Sequence, residues 1–381
     1  MRILFLGGGY TSHLMVIAHS LKSVNSSIVL DYLSEKEPPV ALHYEFPFPM
    51  DNVIIIKKNF PGFLYKIPKI RSALKYFDYK KTLDTIPSQY YDYVHFEFID
   101  PWNCKFISEF KKMSKTTIAT PWGSDVYRVP IEQREVLVRF FKDIDIVTSM
   151  NDVMTQSLIN IYQVDKRKII SIPVVGTMAL DNIVNCEDIS KDIAKQQLGL
   201  TGRFTIVCGT NATPAQQHCK ILAELTKIKD LLPKETTLLI LLGRDKVYDQ
   251  GVLKAFDESG FDYKCFQRRI TDQEMLFWRK ASDVMIHAQP SDSESGAMME
   301  ALLCGTTIVN AAWLHYPKLE KWGAPYYIFN SFDDLSQVVL NAVKNVDNLQ
   351  PKEELINFLK SYTLKNVAEK INGLYCCYNS K

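Results

Sequence analysis

Short apolar runs alternate along the chain with longer stretches in which apolar positions recur at helical spacing. The runs predict strands over 2–6, 27–30, 53–56, 93–96, 116–119, 145–148 and 168–172. A second series is predicted over 204–208, 237–242, 261–266, 283–287, 306–310 and 326–329. Helical patterns lie between them, among others over 214–231, 272–281 and 332–344. Strands alternating with helices of this length imply βαβ units and parallel sheets. The polar stretch 181–197 separates the two series, and each suffices for a doubly wound sheet. The expected fold class is therefore α/β, with two Rossmann-like domains over 1–178 and 198–362. A last helix, about 363–381, is expected to pack back on the first domain. Ligands of such sheets bind beyond the carboxyl ends of the strands, so two facing domains would enclose a cleft.

Composition narrows the function classes. The 381 residues are 46% hydrophobic and 23% charged, ordinary for a globular chain. A net charge of +2 gives no overall basic field, so nucleic acid is not an expected partner. The longest apolar runs, such as 53–56 and 237–242, are far too short to span a bilayer. The first strand turns at once into Gly7-Gly8-Gly9, whereas a secretory signal needs a longer apolar stretch. The expected location is the cytoplasm. Eight scattered cysteines with no C-x-x-C spacing read as small core residues rather than as zinc or redox sites.

Three segments could carry chemistry. Gly7-Gly8-Gly9 follows the first strand, where glycines let a backbone approach a ligand; a tight strand-to-helix turn explains it equally well. Its spacing is not G-x-G-x-x-G, which weighs against a nicotinamide oxidoreductase. The segment Tyr93-Val94-His95-Phe96-Glu97-Phe98 ends a strand. Alternation there turns Val94, Phe96 and Phe98 to one face and His95 and Glu97 to the other. Pro121-Trp122-Gly123-Ser124-Asp125 follows the next strand as a loop. The third segment runs from Gln289 to Gly305. Ser293 or Ser295 can cap a helix whose start, with the amides of Ser293, Ser295 and Gly296, can hold a phosphate. Asp292 and Glu300, with seven residues between them, can bracket one ligand; the plainer reading makes them a second cap and a surface helix residue.

This last stretch resembles the donor-binding segment of GT-B glycosyltransferases of the family-4 type. Asp292, seven residues, Glu300-Ala301 and then Cys304-Gly305 follow the order of that family's pattern. The glycine loop, Asp92-Tyr-Val-His-Phe, Gly123-Ser-Asp and Lys168-Ile-Ile-Ser-Ile-Pro are similar in the same order, so the resemblance covers most of the chain. It implies a GT-B fold and a glycosyltransferase that moves a hexosyl-type sugar from a nucleotide sugar to a hydroxyl of a glycan or lipid-linked acceptor. It also implies retention at the anomeric carbon.

By the same resemblance Glu300 holds the donor ribose, and Asp292 contacts the sugar beside the reacting carbon. Backbone from Ser293 to Ala297 meets sugar and diphosphate, and Gly8 and Gly9 close over the donor. His95 contacts the donor sugar and is expected, with Asp292, to be catalytic; from their place at the cleft, Glu97 and Asp125 are expected on the acceptor side. Glu300→Ala is expected to abolish donor binding while leaving the fold intact.

The departures concern charge. The first acid is usually Glu, and here it is Asp292. The family's Gly-Arg loop with a following Lys is replaced by Gly209-Thr210-Asn211-Ala212-Thr213-Pro214, then His218 and Lys220. A helix N-terminus contributes about 0.3–1 kcal/mol, whereas a micromolar donor needs about 8 kcal/mol. A cation is therefore expected on the diphosphate. Arg244 is the first choice and Lys220 the second, with Asn211 as a polar contact; His218, Arg268 and Arg269 are further candidates.

No closely spaced acidic set suits a metal apart from Asp143-Ile144-Asp145, which starts a strand; no metal and no other cofactor is expected. From Lys57 to Lys81 eight basic residues face one acid, Asp78, with six aromatics interleaved. Such a segment can rest peripherally on the inner face of a membrane, or be a solvated helix with its aromatics inward. Two rival readings of the chain are a sugar-nucleotide epimerase of the same build and a two-domain binding protein that closes on nucleotide or solute without reaction.

Overall fold

A computed structural model of the protein describes residues 1–7, 12–37, 46–172, 176–268, 270–292, 294–346 and 350–378. The chain forms two compact units, Met1–Val174 with Leu364–Lys381, and Val175–Thr363. Each is a parallel sheet with helices in its crossovers.

Unit 1 contains β1 (Arg2–Leu6), β2 (Val29–Ser34), β3 (Asn52–Ile55), β4 (Tyr91–Glu97), β5 (Ser114–Thr120), β6 (Ile146–Ser149) and β7 (Ile169–Ser171). They pair in the order β3-β2-β1-β4-β5-β6-β7, all parallel. Unit 2 contains β8 (Phe204–Cys208), β9 (Thr236–Leu241), β10 (Asp262–Phe266), β11 (Val284–His287), β12 (Thr307–Ala311) and β13 (Tyr326–Phe329). Their order is β10-β9-β8-β11-β12-β13, again all parallel. Both units are doubly wound, with the strand order reversing beside the first strand: between β1 and β4, and between β8 and β11. Connections leaving these neighbours run to opposite faces, which opens a crevice at their carboxyl ends.

The central strands are continuous apolar runs because both faces are covered by helices. Ile3 to Leu6 and Leu238 to Ile240 are fully buried. A glycine with positive φ follows the first strand of each sheet. Gly7 (φ +88) sits so close to β4 that a Cβ would lie 2.3 Å from the Glu97 carbonyl oxygen. Gly209 (φ +80) would place a Cβ 2.7 Å from that of Gln216. Only glycine fits at either position without moving the crevice wall.

One stretch differs from the sequence expectation. Residues 181–197, read as a separating stretch, carry parts of two helices, Met178–Asn185 and Lys191–Gln197, capped by Thr177 and Ser190. Lys191 and Lys195 reach Asp283 at 3.0 and 2.6 Å, so this polar stretch is tied to unit 2 by ion pairs that a hydropathy pattern does not register. The helix Leu364–Tyr378 leaves unit 2 and packs on the helix Ser12–Val24 of unit 1. The Tyr93 hydroxyl donates to the Tyr375 carbonyl (2.5 Å), fastening that helix to β4.

Candidate functional site

The crevice of unit 2 is built by the turns after β8, β11 and β12. The turn after β11 reaches the helix Gly296–Leu303, whose N-cap is Ser295; its hydroxyl accepts from the Met298 amide at 3.3 Å. The first amides of that helix have no intrahelical acceptor, and the helix dipole favours an anion there.

A polar chain spans the three turns. The Gln216 side-chain carbonyl accepts from the Thr210 amide (2.7 Å), and its NH₂ donates to the Gln289 side chain (3.2 Å). Gln289 in turn donates to Asp292 Oδ2 at 2.7 Å. The Tyr316 hydroxyl donates to the same oxygen at 3.0 Å. His287 Nε2 lies 2.7 Å from that hydroxyl and 3.4 Å from Asp292 Oδ2. Because Tyr316 donates to the carboxylate, His287 Nε2 must carry the proton that meets the Tyr316 oxygen. Burial and the Asp292 charge push the Tyr316 hydroxyl well above its ordinary pKa, so it stays a donor. The carboxylate of Asp292 is thus held in a fixed geometry by a tyrosine and a glutamine, with a histidine beside it.

Glu300 is neither exposed nor without a partner. It is 4% exposed. Its Oε2 accepts from Arg279 Nε at 2.7 Å, and its Oε1 accepts from the Thr177 hydroxyl at 2.6 Å. Thr177 also accepts from the Leu180 amide, so one hydroxyl caps a helix and steadies this carboxylate. Arg279 is itself 3% exposed, and its Nη1 finds no partner among the described residues. The surface-residue reading of Glu300 is corrected: a buried guanidinium requires its charge.

Arg244 is exposed just beyond β9 and makes no ion pair among the described residues. Lys220 lies on the helix His218–Lys227; it donates to the Gln217 side chain at 2.9 Å and sits 5.2 Å from the Phe332 ring centre. Asn211 turns inward to its own loop, where its side-chain oxygen accepts from Thr213 N–H and Oγ1. His218 is no cation at neutral pH, because burial lowers its pKa to about 4. Arg268 is committed to Glu274 at 2.6 Å. Gly8, Gly9, Ser293 and Arg269 lie outside the described residues.

Glu294 went unnoticed in the sequence. It is buried beside Asp292, paired with Lys318 (3.2 Å) and Tyr362 (3.0 Å), and burial raises its pKa. Gln216, Gln289, His287 and Tyr316 were also missed. Only His287 and Gln289 carried a signal, since both border the turn after β11.

In unit 1 the expected active groups are interior. His95 is 1% exposed, with Nδ1 at 2.5 Å from the Tyr375 hydroxyl and Nε2 at 2.7 Å from Thr120 Oγ1. Glu97 is 2% exposed; it accepts from Trp122 Nε1 at 2.8 Å, and its Oε1 finds no hydrogen-bond partner among the described residues. Asp125 accepts from the Ile99 and Trp122 amides at 2.7 and 2.9 Å and braces the turns after β4 and β5. Along β4 His95 and Glu97 share a face, 3.4 Å apart, but burial does not alternate with it. Both faces of a central parallel strand are covered, so Val94 to Glu97 are all buried, and Phe98, at φ +67, turns out to 38% exposure. His95, expected as a catalytic group, and Glu97 and Asp125, expected on the acceptor side, are thus buried and hydrogen-bonded within unit 1. A groove of about 500 Å³ does exist in unit 1, near the carboxyl ends of β2 and β4, lined by Arg71, Lys75, Glu35, Asp100 and Trp102.

Burial pushes Glu97 up to about 8 and His95 down to about 3, so their 3.4 Å contact joins two neutral groups at pH 7. The linkage has a definite sign. Folded Glu97 binds a proton that the unfolded chain releases near the ordinary carboxylate value, so stability falls as pH rises towards 8. His95 acts oppositely, below about pH 6.5. From pH 6.5 to 8 the loss from Glu97 should reach about 2 kcal/mol. Thermal melts across this range should show the decline, and Glu97→Gln should flatten it. An equal decline in both proteins would mean that Glu97 is ionised in the folded state.

No protein-family model matches the chain, and no curated protein matches it. Solved structures do. HepE from Anabaena, in complex with UDP and glucose, superposes with a TM-score of 0.69 at 13% identity, covering 99% of this chain and 100% of that one. Sucrose-phosphate synthase from Thermosynechococcus elongatus gives 0.69 at 13%, covering 100% and 99%. A glycosyltransferase from Rickettsia africae gives 0.66 at 12%, covering 98% and 97%.

The chain has the GT-B fold.

Identities this low establish architecture alone, so the chemistry of this GT-B chain has to be argued from its own residues. Among the described residues no three His, Cys, Asp or Glu side chains gather as a metal-binding set. Nor is any described helix long and apolar enough to cross a membrane.

Proposed function

We propose that the protein is a glycosyltransferase that moves a sugar from a nucleotide-sugar donor to a hydroxyl of a glycan or lipid-linked saccharide. In this reading unit 2 binds the donor. The observation that carries it is the turn after β11, where an anion-favouring helix start and a carboxylate fixed by Tyr316 and Gln289 lie together at the strand-order reversal. The GT-B neighbour HepE has been solved with UDP-glucose, which supports a donor of that class.

The diphosphate lies against the amides of Gly296 and Ala297, with Arg244 or Lys220 supplying the cation and Asn211 lining the loop beside it. Asp292 faces the anomeric carbon as positive charge builds there. The bond from that carbon to the diphosphate oxygen breaks, the acceptor oxygen takes its place on the same face, and its proton passes to the departing phosphate. This course retains configuration and needs no metal. Glu300, held by Arg279, meets the ribose. The groove lined by Arg71 and Trp102 is the acceptor side of this reading.

Thermal shift against a panel of nucleotide sugars tests the donor site. At a hundredfold excess over the dissociation constant, stabilisation is about 2.7 kcal/mol, or roughly 5–10 °C for a unit of this size. A panel in which no nucleotide or nucleotide sugar moves the melt overturns the reading. Product NMR should show the donor's anomeric configuration kept, and EDTA should leave the rate unchanged; an inverted linkage or an EDTA-dependent loss removes the corresponding part.

A further inference from the structure

The structure divides the aromatics of segment 57–81: Tyr65 and Tyr79 are buried, whereas Phe63, Tyr76 and Phe77 are exposed. After a short turn, Leu64–Lys66, the chain forms the helix Pro68–Leu83. Its inward face is Asp78, Tyr79 and Leu83, all buried. Its outward face carries Ile70 (37% exposed), Ala73 and Phe77 (50%), spaced i, i+3, i+7. Phe63 (64%) and Ile67 (42%) extend the apolar surface ahead of the helix. Apolar side chains thus lie on both faces of this helix, and those of the outward face stay exposed.

Charge says what covers it. Lys66, Lys69, Lys80 and Lys81 are exposed around this surface and make no ion pair among the described residues. The one acid of the segment, Asp78, is withdrawn into the interior, where it accepts from the Tyr65 hydroxyl (2.5 Å) and the Asn59 amide (2.9 Å). A second copy of the chain would bring the same positive charge against this face, which disfavours self-association. Aromatic and aliphatic tips flanked by long lysine stems match a lipid interface, where the tips enter the acyl boundary and the ammonium groups stay among head groups.

We propose that the outward face of the helix Pro68–Leu83, with Phe63 and Ile67, docks on an anionic lipid leaflet. The opposite edge of the same helix carries Arg71, Ser72 and Lys75 into the groove of unit 1. Docking would therefore set that groove close to the head-group layer, where a lipid-linked acceptor presents its saccharide. The docking itself does not depend on the donor site.

Vesicle co-sedimentation of the full chain without any nucleotide sugar tests it. Phosphatidylcholine vesicles containing one-third phosphatidylglycerol should bind the protein, and pure phosphatidylcholine should bind it at least tenfold more weakly. Raising salt from 0.1 to 0.5 M should weaken the binding at least tenfold. The triple variant K69Q/K80Q/K81Q and the double variant F63S/F77S should each lower the partition coefficient tenfold or more, with unchanged melts. No binding to the anionic vesicles, or equal binding by the variants, overturns the proposal. So does a dimer, seen by light scattering, that dissociates in F63S/F77S, because the face would then be a protein contact. Failure on vesicles with a positive nucleotide-sugar melt leaves the transferase reading standing.

Discussion

Glu300→Ala should lower the stability of unit 2 by about 3–5 kcal/mol, because it strands a buried guanidinium without its counter-charge. This replaces the expectation from sequence that the fold would be left intact. Arg279 and Glu300 are both under 5% exposed, and Thr177 fills the other carboxylate oxygen, so neither charge can turn to water without opening the helix packing. For a unit of this size the melt should fall by roughly 6–20 °C. The double variant R279M/E300M should recover most of that loss, since a buried pair replaced by apolar groups of similar volume is often neutral or stabilising. The double variant then answers the functional question cleanly. If Glu300 meets the ribose, the refolded protein should show no nucleotide-sugar shift. A Glu300→Ala melt within 2 °C of the parent would deny the buried pair, and a normal donor shift in the double variant would remove Glu300 from the donor site.

If the proposed reaction is right, Asp292→Asn should cost about 10²–10³ in kcat, the usual effect of removing one group aimed at developing charge. The donor dissociation constant should change only a few-fold, because the proposed reading places the diphosphate and ribose contacts elsewhere. Tyr316→Phe should show a smaller loss of the same kind. It removes one donor to Asp292 Oδ2 but leaves the carboxylate and the Gln289 bond in place. The split between kcat and donor affinity is the informative readout. An Asp292→Asn enzyme within tenfold of the parent would mean that this carboxylate is structural, a cap on its own turn.

Much of the architecture is written in local pattern. All thirteen strand positions inferred from apolar runs are strands, displaced at most by a few residues, because fully covered parallel strands leave an unbroken apolar signature. β2 begins two residues late, at Val29, and extends to Ser34, since Asp31 is accommodated inside by Arg2 (2.9 Å) and Tyr91 (3.0 Å). Composition alone would have excluded that acid from a core strand. The turn after β11 was legible as well: a strand, a serine-rich turn and strong helix formers in that order.

What covers each face was not legible. His95 and Glu97 stand at a strand end where alternation points them to a common face, yet the helix Leu364–Tyr378 returns 280 residues later and places Tyr375 against the imidazole. The aromatic segment was compatible with a buried or an exposed stripe, and the structure divides it, with Tyr79 on the inner face and Phe77 on the outer.

The sequence by itself determined the number of strands, their parallel pairing into two sheets, and the turn where an anion can meet a helix start. These depend on spacing along the chain, which short-range sterics and apolar burial translate directly into structure. Tertiary structure decided which polar groups face one another: Glu300 with Arg279, Asp292 with Tyr316, His95 with Tyr375. Such pairings join segments distant in sequence, and in a low-dielectric interior each polar group is fixed by whichever partner the packing brings within reach.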